Sequence, residues 1–433
     1  MLDGYVLIRD GKIEDVFTDQ KIPSGLMVED VGTNVVMPGM IDSHVHINEP
    51  GRTDWEGFES ATKSAAAGGI TTLVDMPLNS NPVTTTIKAF HEKKEASKGK
   101  LFVNCGFYGG IIPGNAGDIA PLIEAGVLGF KAFLTHSGID EFPNVGLADL
   151  EKVAPLLSAN NIPLLVHAEL DSEHEGLTAF EKNPTSYVAF LNSRPKVWED
   201  DAIALLIRLS EKYRLRVHVV HLSSTNSIGP LKAARDKGLQ VTVETCPHYL
   251  FFLAENIPDH DTRFKCTPPI REKENNEQLF SALKDGLIDF IVSDHSPAPP
   301  ELKKVQSGNL KDAWGGISSL QFSVPIVWTI LKKNNSSLEM LSKLMSSHVA
   351  QFLGLNTSKG KIRKGFDADL VVFNPEKKFI VSSSMILHRH KLTPYEGSEL
   401  TGVVEQTYVG GTKVFDRGSF VSSPCGKIIL RHT

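Results

Sequence analysis

An α/β fold, a (β/α)8 TIM-like barrel inserted in a small β-sandwich formed by both termini, is predicted by three observations. Eight short apolar runs recur between residues 35 and 297, and amphipathic stretches of helical period separate them. The two ends of the chain carry β-hairpin signals and little helix. Near-continuous apolar strands that alternate with helices belong to a parallel sheet covered on its outer face, and eight such units close on themselves. An open doubly wound sheet is the competing arrangement, but it would not bring eight strand ends around one point.

The elements follow in order. VVMPGMIDSHVHI (35–47) leads to the helical EGFESATKSAAAGG, TTLVDMP (71–77) to TTTIKAFHEKKEA, FVNCGFYGG (102–110) to DIAPLIEAG, and GFKAFL (129–134) to LADLEKVAPLLSANN. IPLLVHAE (162–169), RVHVVHLSS (216–224), VTVETCPHYL (241–250) and FIVSDHSP (290–297) continue the series, spaced by stretches such as DDAIALLIRLSEKY and IGPLKAARDKG. Residues 37–361 are therefore expected to form the barrel. Residues 1–36 (with YVLIRDGKIEDVF) and 362–433 (with FDADLVVFNP and VVEQTYVGGTKVFDRG) are expected to form the sandwich, with hairpin turns at DG and GG.

Composition narrows the function. A chain of 433 residues, 41% apolar, can bury a large core. Its formal net charge of −6, without a Lys/Arg run, argues against a nucleic-acid or polybasic membrane partner and for a small-molecule substrate. No apolar stretch approaches the ~18 residues of a membrane span. Cys105, Cys246, Cys266 and Cys425 are scattered without CxxC spacing, which predicts reduced thiols in an intracellular, cytoplasmic protein.

Six side chains at strand ends carry the chemistry. Residues i and i+2 of a strand share a face, so His44 and His46 in DSHVHINEPGR can hold one ion together. An isolated HxH is more often a pair of ordinary core or loop histidines. This one ends a strongly apolar strand and runs into an acidic, glycine-containing loop, where a barrel places its catalytic face. Lys131 interrupts GVLGFKAFL, where an ammonium would be desolvated unless neutralised or paired. His167 and His221 end two successive strands; His218, at an odd offset from His221, is expected to face away. Asp294 in DFIVSDHSP is a turn residue when taken alone, but beside the histidines its two oxygens could touch a metal and serve as a base. Four nitrogens and a carboxylate suffice for two ions if an anion bridges them.

This pattern of HxH, the GFK lysine, two strand-end histidines and a final aspartate resembles the amidohydrolase superfamily, in the cyclic-amidase branch of dihydroorotases, hydantoinases (dihydropyrimidinases) and allantoinases. The resemblance spans the whole chain, including FDADLVVFNP. It implies two divalent ions, zinc by default with manganese, cobalt or nickel as alternatives, bridged by a CO2-derived carbamate on Lys131. His44, His46 and Asp294 would hold the more buried ion, and His167 and His221 the more exposed one. Asp294 and Lys131 are the catalytic candidates, Asp294 accepting a proton from the attacking water and passing it to the departing ring nitrogen. Members of the branch resemble homodimers or homotetramers.

The loops HINEPGRTDWEGF, TTLVDMPLNSNP, FKAFLTHSGIDEFP, TCPHYL, RFKCTPPIR, SDHSP and WGGISSLQ resemble the allantoinases most. Dihydroorotases usually hold a substrate carboxylate with an arginine and a histidine, where this chain has Asn48 and Ala298. That loss suits the uncharged hydantoin ring of allantoin. His136 stands where hydantoinases usually present a tyrosine. Asn79, Thr267, Gly315 and Gly316 are the expected substrate contacts, the glycines by letting backbone approach a flat ureide. A hydantoinase, a dihydroorotase-like cyclic amidase and a non-catalytic dihydropyrimidinase-like scaffold are the alternatives; the scaffold type lacks the ligands, whereas all six positions are filled here.

Overall fold

A computed structural model describes residues 3–431 except 19–21 and 23–24. The barrel strands are Met40–Val45, Ile70–Asp75, Asn104–Phe107 continued by Gly109–Gly110, Phe130–Phe133, Leu164–His167, Val217–Val219, Val241–Thr245 and Phe290–Ile291. All neighbours pair in parallel. The ring closes where Val45 bridges His295 and the His46 amide donates to the His295 carbonyl at 2.8 Å. Strands one and two are buried at every position, which is why their sequences lack the alternation of a strand with one face in solvent.

Helices cover the outside with a single apolar stripe. In Phe58–Ala67 the buried Phe58, Ala61, Thr62, Ala65 and Ala66 follow the i, i+3, i+4, i+7, i+8 spacing of one face. Ile87–Ser97 starts at Thr86, whose hydroxyl accepts the Ala89 amide. Lys196–Tyr213 buries Trp198, Ala202, Ile203, Leu206 and Leu209 between the fifth and sixth strands. No helix among the described residues is long and apolar enough to cross a membrane.

Beside the barrel lies a five-stranded antiparallel sheet of Val35–Pro38, Leu370–Ile380, Glu399–Val409, Thr412–Asp416 and Ser419–Phe420. The hairpin Gly4–Arg9/Lys12–Thr18 packs against it through Ile13, Phe366, Ala368 and Leu370. Both expected turns are present: Asp10-Gly11 and Gly410-Gly411 have positive φ at both central residues, as a two-residue hairpin of type I′ requires. Asp369 ties sheet to barrel. Its carboxylate accepts the Gly410 amide (2.8 Å), the Lys359 ammonium (2.5 Å) and the Asn104 side chain (3.2 Å).

Three expected runs are divided differently. The run 35–47 is two strands, because the chain passes from sheet to barrel at Gly39, whose amide donates to the Asp369 carbonyl. The third barrel run breaks at Tyr108, so that residues 104–107 pair with the second strand and 109–110 with the fourth. The gap below is filled by Ile428–Ile429, which pairs in parallel with Cys105 and Gly106. The C-terminal tail, expected within the sandwich, thus ends in the barrel floor. The eighth strand keeps only two ladder residues because the chain turns at Asp294, with φ of 45°.

At Gly39 a Cβ would lie 2.2 Å from Thr71 Oγ1 and 2.4 Å from its Cγ2. Gly39→Ala is expected to lower stability by about 1–3 kcal/mol in urea unfolding. Adding Thr71→Ala should recover part of that loss, and an unchanged unfolding midpoint in the single variant would show that the crossing does not need glycine.

Candidate metal centre at the barrel mouth

The strand ends deliver the six ligand candidates to one place. His44 Nε2 and His46 Nε2 lie 3.1 and 3.4 Å from the same oxygen of Asp294. These three residues form a compact group of potential metal donors. Ring centroids are 5.5 Å apart for His44 and His221 and 4.6 Å for His167 and His221, so the second pair of histidines adjoins the first. Lys131 projects among them: its charge acts on His44, His167 and His221, and Asp294 and Glu244 act on it in turn. His221 and Asp294 adopt positive φ, 40° and 45°, as do Asn48 (66°) and Asn79 (63°) at the same mouth. Non-glycine residues rarely adopt this conformation, and it concentrates at sites where a side chain must be aimed.

Burial sets the protonation of the rings. His44 and His221 are held well below the usual histidine range by desolvation, with neighbouring cationic groups adding to it, and His167 is lowered in the same direction. A neutral imidazole keeps a lone pair for a metal. For Lys131, burial lowers the amine to about 8, against the pull of Asp294 and Glu244. Its Nζ is wholly buried and has no hydrogen-bond partner. A buried amine with no partner is costly. An anionic carbamate on Nζ, neutralised by cations, would remove that cost. The neutral nitrogens, the shared carboxylate and this orphaned amine fit divalent metal ions.

Each of three histidines has a partner behind it, which fixes the tautomer and orients the ring. His44 Nδ1–H donates to Glu244 Oε1 at 2.5 Å, and His218 donates through Nε2 to the other oxygen at 3.0 Å. His218 is therefore outside the ligand set, but it does not face away as its offset predicted: it turns to the Glu244 that holds His44 and supports that set from behind. His167 Nε2–H donates to Glu169 at 2.7 Å, and Arg194 clamps the same carboxylate through Nη2 at 2.5 Å and Nε at 3.1 Å. Arg194 holds the Glu169 carboxyl at about 2 despite its burial. With Nε2 taken, Nδ1 is the nitrogen of His167 left for an ion. The Asn79 amide lies 3.3 Å from His46 Nδ1. Turned so that Oδ1, otherwise unpartnered, accepts Nδ1–H, it leaves the Nε2 lone pair free beside Asp294.

Asn79 was expected to contact substrate, but its amide is directed at His46. Glu244 and Glu169 were not singled out from sequence, although each is an acid set in or just after an otherwise apolar strand, VTVETC and LLVHAE. Gly316 also differs from expectation. Its amide donates to the Lys265 carbonyl (3.0 Å), which leaves no donor for a ureide, and its carbonyl already accepts from Lys303 (2.5 Å). Its missing side chain makes room for Ser296, 2.5 Å from where a Cβ would lie. Gly315 faces Thr267, whose side chain would be 3.5 Å from a Cβ there. His136 is exposed on the rim and is turned toward the Gly138 amide and Asp140. The rim is tied together by Arg52, which binds Glu141 (2.7 Å) and the Asn79 carbonyl (2.8 Å), and by Trp55 edge-on to Trp314. A cavity of about 480 Å³ elsewhere, lined by Phe379, Met385, Val404 and Phe415, is a seam between sheet and helix and lacks the ligand histidines.

Comparison with known proteins agrees with this centre. The model of the amidohydrolase family matches residues 35–414. The chain is 44% identical to an allantoinase of Streptomyces avermitilis over 98% of its own length and 94% of the relative's. Identity to an allantoinase of Arabidopsis thaliana is also 44%, covering 100% of this chain and 89% of that one. The solved L-hydantoinase (dihydropyrimidinase) from Arthrobacter aurescens superposes with a TM-score of 0.93 at 30% identity, covering 99% of this chain and 96% of the other. The chain belongs to the amidohydrolase family and, within it, groups with the allantoinases.

Proposed function

We propose that the protein hydrolyses the cyclic amide bond of allantoin to give allantoate, using two divalent metal ions bridged by a carbamate on Lys131. The observation that carries this reading is the wholly buried Lys131 Nζ, without a hydrogen-bond partner, among four histidines and an aspartate. The relatives named for the same reaction support the choice of substrate. His44, His46 and Asp294 would hold the inner ion and His167 and His221 the outer one, with carbamylated Lys131 shared between them. Bound divalent cations supply charge that acidifies water and polarises a carbonyl.

The rest is done by the chain. Asp294 takes the proton of the attacking water and returns it to the ring nitrogen as the C–N bond opens, so one carboxylate is first base and then acid. Glu244, Glu169 and Asn79 keep three imidazoles aimed while charge builds at the centre. Thr267 and Gly315 face each other at the mouth, where the ring would lie. Asn48 and Ala298 present no cation to a substrate carboxylate, which favours allantoin over dihydroorotate. Zinc is the metal we assign by its fit to nitrogen and carboxylate donors. We place the enzyme in the cytoplasm on its four free cysteines, and expect a homodimer or homotetramer formed through exposed edges of the β-sheets.

Assayed on allantoin, hydantoin and dihydroorotate, the purified enzyme should strongly prefer allantoin; preference for either of the others would overturn the assignment. Lys131→Ala should lose both metal and turnover, with partial recovery on adding a short carboxylic acid in place of the carbamate. Full activity in the unrescued variant would exclude the bridge. Asp294→Asn should keep most of its metal and lose turnover at least about a hundredfold, the scale of general acid–base catalysis. Glu244→Gln should fold normally and bind metal about 10–100 times more weakly, as measured by competition with a chelator.

A further inference from the structure

The two outer histidines are aimed differently. His167 has Glu169 behind its ring, held in turn by Arg194, whereas His221 Nδ1 is buried with no hydrogen-bond partner. The aim of His221 therefore rests on its backbone, which adopts the rare φ of 40°. Past His221 the Leu222 amide still belongs to the sheet and donates to the Glu244 carbonyl at 2.8 Å. The next two amides leave the sheet: Ser223 and Ser224 both donate to one oxygen of Glu199, at 3.0 and 3.1 Å. Glu199 stands in the first turn of the helix Lys196–Tyr213, and its other oxygen accepts Arg271 Nη2 at 2.6 Å. Glu199, Arg271, Ser223 and Ser224 are all buried.

Arg271 has a second arm. Its Nη1 donates to the Arg194 carbonyl at 3.3 Å, and the Arg194 guanidinium is the group that grips Glu169. One guanidinium thus joins the loop that follows His221 to the residue that holds His167 from behind. The Ser223 hydroxyl adds a bond to the Pro269 carbonyl (2.7 Å), on the segment that carries Thr267 to the mouth. A buried ion pair is often no more stabilising than apolar residues of similar volume. This one has a geometric task. We propose that Glu199 and Arg271 are a positioning pair for the outer metal ion, fixing the backbone that aims His221 and, through Arg194 and Glu169, the ring of His167. The proposal rests on the two-ion reading above, and it gives a role to two charged residues outside both the ligand set and the acid–base step.

The test compares wild type with Arg271→Lys, which keeps a cation opposite Glu199 and loses the fork that reaches Arg194. Zinc affinity is read by stepwise competition with a chelator, and folding of the metal-free form by its melting transition. Arg271→Lys should hold its first zinc as wild type does and bind its second about 10–100 times more weakly, the scale of losing a group behind a metal ligand. His221→Ala supplies a second background, since it removes one ligand of the outer ion directly. There Arg271→Lys should change the affinity of the remaining ion less than about twofold, because residues that act through one group are not additive. If Arg271→Lys does not fold, the double variant Glu199→Gln with Arg271→Met, which removes both charges of the buried pair, takes its place with the same expected result.

Two ions held by Arg271→Lys as tightly as in wild type would overturn the proposal. So would equal weakening of both ions, or a further loss at the remaining ion in the His221→Ala background, either of which would make the pair a support of the fold alone. Failure of both variants to fold would say the same. A wild-type enzyme that binds fewer than two ions would instead defeat the two-ion reading itself, and the two failures are told apart by the wild-type measurement alone.

Discussion

The seam between the first and eighth barrel strands is the constraint on which the centre depends. The eighth strand contributes only Phe290 and Ile291 to the ladder, too little to hold a ring closed by itself. Side chains complete the seam. Asp42 accepts the His44 amide with one oxygen and the Ser293 amide with the other, both at 3.1 Å, across the joint. His295 accepts the Ser319 amide at Nδ1 and donates from Nε2 to Glu56, so it is spent on the loop framework and is no ligand. The same few bonds that shut the barrel set His44, His46 and Asp294 against each other. Barrel closure and ligand geometry are therefore one event, and burial pushes the Asp42 carboxyl that serves both up to about 7.

Around that seam the charges are layered. The neutral rings of His44, His167 and His221 and an amine without a hydrogen-bond partner line the centre, and carboxyl groups stand behind His44 and His167. An anion behind an imidazole raises the basicity of the nitrogen in front without itself occupying a coordination position. Glu169 gains further fixity from the forked grip of Arg194, a geometry lysine could not supply. Low-dielectric surroundings strengthen every one of these interactions, and they also make an unpartnered group such as the Lys131 amine costly to leave uncompensated.

Much of this was legible in the sequence because it follows from period and position. The i, i+2 spacing of His44 and His46 and the strand-end placement of His167, His221 and Asp294 are local facts that the barrel only had to bring together. Glu244 was harder to read: an acid near the end of VTVETC resembles any strand-end carboxylate until His44 is found opposite it. Asn79 was legible as a residue of the mouth but its contact with His46 was not, since a loop asparagine there has the chemistry to bind either a ligand or a ring nitrogen. The break at Tyr108 left no mark in FVNCGFYGG, because a strand that changes partners is as apolar as one that does not. Gly316 illustrates the remaining limit: glycine permits close approach, but only the fold decides what approaches.

The tail strand Ile428–Ile429 has a consequence for how the molecule is made. It completes the floor beside Cys105 and Gly106, residues translated more than three hundred positions earlier, and the N-terminal hairpin likewise waits for Phe366, Ala368 and Leu370. Both ends of the catalytic domain's periphery are thus stitched by late-emerging segments, so a nascent chain on the ribosome carries an open edge at its third strand until those segments arrive. Such long-range pairing slows maturation and leaves a window in which a chaperone, or an unwanted neighbour, can occupy the unfilled position.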